Sequence, residues 1–162
     1  VKALVALAPK ELGPEVIQTD ASEFIQIARE PVGTVFIISP WNYPLLTTIN
    51  TLIAAVLAGN SVLIKHSPYT PYCGKLFEDA FEYAGLKNVV NDCLVDLEDC
   101  QQLLADPLVS YVSFTGSVAS GKFVYEKVVS SRMTNFIDVG LELGGKDAVS
   151  RLNLARIQNH PG

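Results

Sequence analysis

The chain contains 162 residues, of which 49% are hydrophobic and 18% are charged. This is enough apolar material for the core of one globular domain. The formal net charge is −5, from 12 basic and 17 acidic residues. No basic cluster stands out, so we expect no surface for nucleic acid or for an anionic membrane. No apolar run reaches the ~18–20 residues that a membrane-spanning helix needs.

The numbers and positions of the cysteines and histidines indicate the redox compartment and the kinds of metal site that are not expected. Cys73, Cys93 and Cys100 have no paired spacing, which favours free thiols in a reducing compartment. We therefore expect a cytoplasmic protein. Because His66 and His160 are the only histidines, a histidine-based metal site is not expected.

The amino-terminal segment differs from the rest of the chain. Residues 1–8 are small and apolar and stop at Pro9, which indicates the end of a helix. Residues 11–17 and 23–29 are predicted to form two short strands around a turn. We therefore treat residues 1–30 as a helix end followed by a β-hairpin.

From residue 31 onward, patterns typical of strands alternate with patterns typical of helices. Strands are predicted at residues 32–38, 61–65, 91–95, 111–114 and 136–141. Helices are predicted at residues 45–57, 71–84, 97–104 and 117–129, the second of them capped by Thr70. This alternation predicts βαβ units in a Rossmann-like α/β domain, with a mainly parallel sheet and helices on both faces. The domain spans residues 31–149, and residues 150–162 form a tail without a convincing pattern.

The stretch Pro40-Trp41-Asn42-Tyr43-Pro44 joins the first buried strand of this domain to the following helix. It is therefore a turn at the carboxyl end of a strand, where open α/β sheets bind ligands. Two prolines stiffen the turn. The amide of Asn42 is well placed there to donate a hydrogen bond to a ligand.

Lys65 and Glu142 also lie at predicted strand ends. Lys65 either reaches solvent along its aliphatic stem or holds an anionic or hydroxyl-rich ligand. Glu142 lies between Leu141 and Leu143, and a carboxylate with apolar neighbours suits a general base. The alternative for Glu142 is a surface position on an edge strand.

The turn at Gly116 and Ser117 leads from a strand into a helix. The amino end of a helix suits a phosphate group, although an ordinary capped helix has the same residues. Gly116 to Lys122 also has the G-x-x-x-x-G-K spacing of a phosphate-binding loop. In nucleotide hydrolases a serine or threonine comes next, whereas this chain has Phe123, which disfavours that function.

None of the three cysteines has the surroundings of an activated nucleophile. Cys73 begins a helix away from any candidate base, and Cys93 lies in an apolar strand. Cys100 lies beside Glu98 and Asp99, which disfavour a thiolate.

Four motifs in order resemble the aldehyde dehydrogenase superfamily, from about Pro31 to Lys146. They are PWNYP at 40–44, K-x-S-x-x-T-P at 65–71, FTGS at 114–117 and LELGGK at 141–146. The resemblance implies oxidation of a small aldehyde to a carboxylic acid with NAD+ or NADP+, in a homo-oligomeric enzyme. It identifies residues 31–149 with the central part of the cofactor domain.

The resemblance also implies roles for individual residues. Asn42 would stabilise the oxyanion formed when a cysteine thiolate attacks the aldehyde, and Glu142 would activate the water that hydrolyses the thioester. Lys65 would hold the adenosine ribose, and Gly116 and Ser117 would receive the pyrophosphate. The remaining cofactor-binding residues would be Pro40, Trp41, Gly121 and Leu143.

Two departures from the family qualify these expectations. Pro68 replaces a glutamate that grips the ribose hydroxyls in many members, so the choice between NAD and NADP stays open. The family's nucleophilic cysteine and its oligomerisation segment are not found among these residues. We therefore expect a fragment that is inactive alone. The alternative is a non-catalytic module that binds a nucleotide or a partner.

Overall fold

The computed structural model describes residues 1–19, 23–132 and 135–145. An amino-terminal helix, α1 (Lys2–Glu11), precedes an antiparallel hairpin of β1 (Glu15–Thr19) and β2 (Phe24–Ile27). Every residue of these two strands is exposed.

The predicted stop at Pro9 is wrong, because α1 continues through this proline. Proline removes one backbone donor, but the next turn still closes with a hydrogen bond from Leu12 N to Ala8 O of 2.9 Å. The first predicted strand therefore begins later, at Glu15 instead of residue 11.

The α/β domain contains five strands and four helices in the described part of the chain. In chain order they are β3 (Thr34–Ile38), α2 (Pro44–Leu57), β4 (Ser61–Lys65), α3 (Tyr72–Tyr83), β5 (Val90–Asp92), α4 (Leu97–Ala105), β6 (Val109–Gly116), α5 (Val118–Ser131) and β7 (Asp138–Leu143). The strand order is β5-β4-β3-β6-β7, and all four neighbouring pairs are parallel. The predicted parallel α/β sheet is confirmed.

Two apolar clusters lie on opposite faces of the sheet. One joins strand residues to Leu52 and Ala55 of α2 and Phe77 of α3. The other joins strand residues to Leu104 of α4 and Val124 of α5. Helices therefore cover both faces, as predicted, and none of the helices among the described residues has the length and apolarity to cross a membrane.

The predicted cap at Thr70 is wrong. The residue before α3 is Pro71, and no side chain caps this helix. The Thr70 carbonyl instead accepts a backbone hydrogen bond of 3.2 Å from Cys73 N, so the turn closes through the main chain. The side-chain caps at the other helix starts are Asp96 for α4 and Ser117 for α5.

The chain crosses from β3 to β4 and β5 on one side of the sheet, and then to β6 and β7 on the other. The strand order therefore reverses between β3 and β6. In open α/β sheets, the crevice at the carboxyl ends of such a pair is the usual ligand site. The motifs at residues 40–44 and 114–117 follow these two strands.

Candidate functional site

A cleft of about 690 Å³ opens at the carboxyl edge of the sheet. Its walls come from four segments that follow four neighbouring parallel strands. They are residues 38–42, 65–68, 114–117 with Ser120, and 142–145. The register places Ile38 opposite both Lys65 and Phe114, and Thr115 opposite Glu142, so the strand ends meet at one edge.

All of the predicted site residues except Gly121 line this cleft. They are Pro40, Trp41, Asn42, Lys65, Gly116, Ser117, Glu142 and Leu143. The structure therefore brings together a side-chain amide, an ammonium group, a helix start and a carboxylate.

The turn that carries Asn42 is anchored at its start, through Ser39. Ser39 N donates a hydrogen bond of 2.9 Å to the Lys65 carbonyl, and Thr48 of α2 donates one of 2.7 Å to Ser39 Oγ. Tyr43 has a φ of 46°, in the left-handed region that redirects the chain into α2. Asn42 itself is exposed, so its amide is free to meet a ligand from the cleft.

Lys65 ends β4 and is half-buried. Its Nζ donates a long hydrogen bond of 3.4 Å to the His66 carbonyl. An ammonium group has three donors, so most of its capacity remains for a ligand. This donor set and the volume of the cleft fit a hydroxyl-rich or anionic group.

Ser117 forms the start of α5. Its Oγ accepts a hydrogen bond of 3.1 Å from Ser120 N and donates one of 2.9 Å to Ser120 Oγ. A Cβ on Gly116 would lie 2.6 Å from the ring of Phe114, so a larger residue here would have to displace that ring. The helix start therefore faces the cleft with two hydroxyl groups and unpaired backbone donors.

Gly121 lies outside the cleft, in contrast to the other predicted site residues. It is buried in α5, and a Cβ there would overlap the side chain of Leu143. Its small size therefore lets α5 pack closely against β7. Gly121 therefore affects the cleft indirectly, through its contact with Leu143, which lines the cleft.

Glu142 is exposed on β7, the last strand of the sheet. The expected apolar surroundings are wrong, because side chains alternate along a strand. Leu141 and Leu143 therefore point away from the face that Glu142 occupies. The carboxylate is open to the cleft and to solvent, while Lys146, the last residue of its motif, lies outside the described residues.

The three cysteines lie away from the cleft lining. Burial raises the pKa of Cys93 to about 12. Burial also raises the pKa of Cys100, and this effect, instead of the neighbouring acidic residues, is the main cause. Neither thiol is activated as a nucleophile. Groups of three or more side chains suited to a metal ion are absent from the described residues.

Sequence reasoning did not single out several residues of the cleft wall, among them Ser39, His66 and Ser120. Ser120 lies one helical turn after the capping serine, and this spacing could have placed it beside Ser117. His66 follows a strand and is 6% exposed. The sequence signal that could have predicted His66 as a cleft residue is its position directly after Lys65.

Comparison with known proteins agrees with the resemblance carried by the four motifs. The aldehyde dehydrogenase family matches residues 1–159, which includes most of the predicted tail. The chain is 36% identical over 147 residues to 2,5-dioxopentanoate dehydrogenase of Saccharolobus solfataricus, covering 89% of this chain and 30% of that protein. It is 37% identical over 123 residues to 4,4'-diaponeurosporen-aldehyde dehydrogenase of Staphylococcus aureus, covering 76% of this chain and 26% of that protein.

A solved structure agrees with these relatives. The NAD-dependent aldehyde dehydrogenase from Sinorhizobium meliloti has a TM-score of 0.78 and 31% identity, with 89% of this chain and 28% of that chain covered. The present chain therefore spans less than a third of the length of these proteins. The chain belongs to the aldehyde dehydrogenase family.

Proposed function

We propose that the described α/β domain binds NAD+ or NADP+ for an enzyme that oxidises aldehydes to carboxylic acids. The observation that carries this proposal is the meeting of Asn42, Lys65, Ser117 and Glu142 in one cleft. We assign this domain to residues 31–149, of which residues 31–132 and 135–145 are described. The NAD-dependent enzyme from Sinorhizobium meliloti supports the cofactor class.

In this proposal Lys65 and the start of α5 bind the two polar parts of the cofactor. The ammonium group of Lys65 donates to ribose hydroxyls. Ser117, Gly116 and the backbone donors at the helix start receive the pyrophosphate. Trp41, Pro40 and the backbone of Leu143 line the remaining wall.

Asn42 and Glu142 act on the substrate. The Asn42 amide donates to the oxygen of the tetrahedral adduct, and one such donor lowers the barrier by about 3–4 kcal/mol. In the whole enzyme, a cysteine that is not among these 162 residues would form the thioester with the substrate. The exposed carboxylate of Glu142 would take a proton from the water that hydrolyses this thioester. The bound cofactor supplies the hydride acceptor.

We further propose a cytoplasmic location and a homo-oligomeric assembly. The three free cysteines support the reducing compartment. The exposed apolar side chains of the β1–β2 hairpin support an interface.

Replacing Lys65 with methionine is expected to weaken nucleotide binding about 10- to 100-fold. A hydrogen bond from a charged donor contributes about 1.5–3 kcal/mol, and methionine retains the aliphatic stem without the charge. Titration calorimetry of the 162-residue chain with NAD+ and with NADP+ measures both affinities. The comparison of the two affinities also shows which cofactor the chain prefers.

The matched control is Lys122→Met, because Lys122 is exposed on α5 outside the cleft. This control should bind like the parent chain. Equal losses in both variants would contradict the assignment of Lys65. Magnesium-dependent binding of ATP that is lost in Lys122→Met would instead support the phosphate-binding loop of a nucleotide hydrolase.

A protein made of these 162 residues is expected to produce no NADH from an aldehyde. Each cysteine lies outside the cleft, so no thiolate reaches a substrate held by Asn42. Absorbance at the NADH band, followed with aliphatic and aromatic aldehydes, measures this rate. Aldehyde-dependent NADH formation would refute the prediction.

The same observation favours a second candidate function. A chain with a cofactor cleft and no thiol in it could act as a non-catalytic module that binds the nucleotide or a partner subunit. Nucleotide affinity without turnover would agree with this function. Complementation of activity by a cysteine-bearing chain would distinguish it from an enzyme domain.

A further inference from the structure

His66 is a buried imidazole in the wall of the cleft that the proposed function does not use. The residue is 6% exposed. Neither Nδ1 nor Nε2 has a hydrogen-bond partner in the part of the chain that the structure describes. The ring stacks on Phe77 of α3, with 6.3 Å between the ring centroids and 16° between the planes. This position holds the ring by apolar contact instead of by hydrogen bonds.

Protonation would make this position unfavourable. The imidazolium ion has two donors, and both would be buried without acceptors. Its charge would also lie beside the ammonium group of Lys65. Burial, together with Lys65, lowers the pKa of His66 from its ordinary value of 6.5. The residue of helix α3 that contacts the imidazole ring is Phe77, which carries no charge. The acidic residue on strand β5, which neighbours β4, is Asp92.

The backbone at His66 supports two parts of the candidate site. Its carbonyl oxygen accepts the hydrogen bond from Lys65 Nζ. The preceding carbonyl, that of Lys65, accepts the hydrogen bond from Ser39 N at the start of the turn that carries Asn42. A ring that leaves Phe77 would no longer hold this stretch of backbone in place, and both hydrogen bonds would be weakened.

We propose that His66 is a positioning residue for Lys65, and that acidification weakens nucleotide binding because the protonated ring leaves its place on Phe77. The inference rests on the proposed cofactor site. The neutral ring holds the site in place above pH 6.5. As the pH falls below 6.5 toward the lowered pKa of His66, the site loses this support.

The test is calorimetry of the 162-residue chain with NAD+ and NADP+ between pH 5.5 and pH 8. The parent chain should lose affinity as the pH falls from 6.5 toward the lowered pKa of His66, by at most about tenfold per pH unit, because at most one proton is taken up when the ring leaves its place. His66→Phe keeps an aromatic ring on Phe77 and cannot titrate. Its affinity should stay level over the same range.

Two controls isolate His66 from other titrating groups. His160→Gln removes the other histidine, and Asp92→Asn removes an acid whose pKa is raised by burial. Both variants should keep the pH dependence of the parent chain. Equal slopes for the parent chain and His66→Phe would overturn the proposal. Affinity that rises on acidification would also overturn it, because the imidazolium would then bind the phosphates directly.

Hydrogen exchange gives a second readout that needs no ligand. The Ser39 amide, which donates to the Lys65 carbonyl, should lose protection below pH 6.5 in the parent chain relative to His66→Phe. Equal protection in the two proteins would overturn the positioning role. Absence of nucleotide binding at every pH would refute the cofactor site, while the exchange data would still decide the role of His66.

Discussion

Replacing Phe36 with alanine is expected to lower the free energy of unfolding by about 3–5 kcal/mol. Phe36 lies on β3, the central strand of the five-stranded sheet, and is 0% exposed. Its ring belongs to the cluster with Leu104 and Val124, so truncation leaves a cavity among close-packed neighbours. The free energy of unfolding of a whole domain is about 5–15 kcal/mol, so this one substitution removes a large part of it.

The matched control is Phe136→Ala, because Phe136 is 97% exposed. Loss of an exposed ring should change the free energy of unfolding by about 0.5 kcal/mol or less. Urea unfolding of both variants, followed by circular dichroism, gives the comparison. Similar losses at the two positions would mean that β3 is not the centre of the core.

The sheet and the cleft could be predicted because their signals are local. Residues 61–65 form a short β-branched run between a glycine turn and a histidine, and the predicted bounds agree with β4. Polar or glycine residues after such runs must lie at one edge of a parallel sheet. The grouping of Asn42, Lys65 and Ser117 in one cleft therefore follows from strand ends alone.

The features that the sequence did not predict have a different physical origin, because they depend on contacts between residues that are distant in the sequence. The stacking of His66 on Phe77 and the packing of Gly121 against Leu143 join separate elements. The exposure of Glu142 depends on the strand face, which flanking leucines do not reveal.

Arg132 is the clearest case of a residue whose role depends on distant partners. It follows α5 and is 7% exposed. Its Nε and Nη2 donate hydrogen bonds of 3.2 Å and 3.1 Å to the Leu104 carbonyl, and Nη2 donates one of 2.7 Å to the Asp106 carbonyl. The Asp106 carbonyl also accepts a hydrogen bond of 3.1 Å from Val109 N. The guanidinium group therefore satisfies the Leu104 carbonyl, which α4 leaves unpaired at its carboxyl end. Because α4 lies 26 to 28 residues earlier in the chain, no local pattern predicts this contact.

Replacing Arg132 with methionine is therefore expected to lower the free energy of unfolding by about 1–3 kcal/mol, which is the cost of leaving the buried Leu104 carbonyl unpaired. Arg29→Met is the matched control. Arg29 is exposed, donates one hydrogen bond of 2.9 Å to the Gly13 carbonyl and lies 3.7 Å from Glu15, so its loss should cost about 1 kcal/mol or less.

Urea unfolding of both variants separates a buried polar contact from a surface one. Arg132→Lys should recover only part of the loss, because one ammonium group cannot reproduce the planar fork that bonds two carbonyls. Equal stabilities for Arg132→Met and Arg29→Met would mean that water satisfies the end of α4. The contact between α4 and α5 would then depend on the apolar cluster that includes Leu104 and Val128.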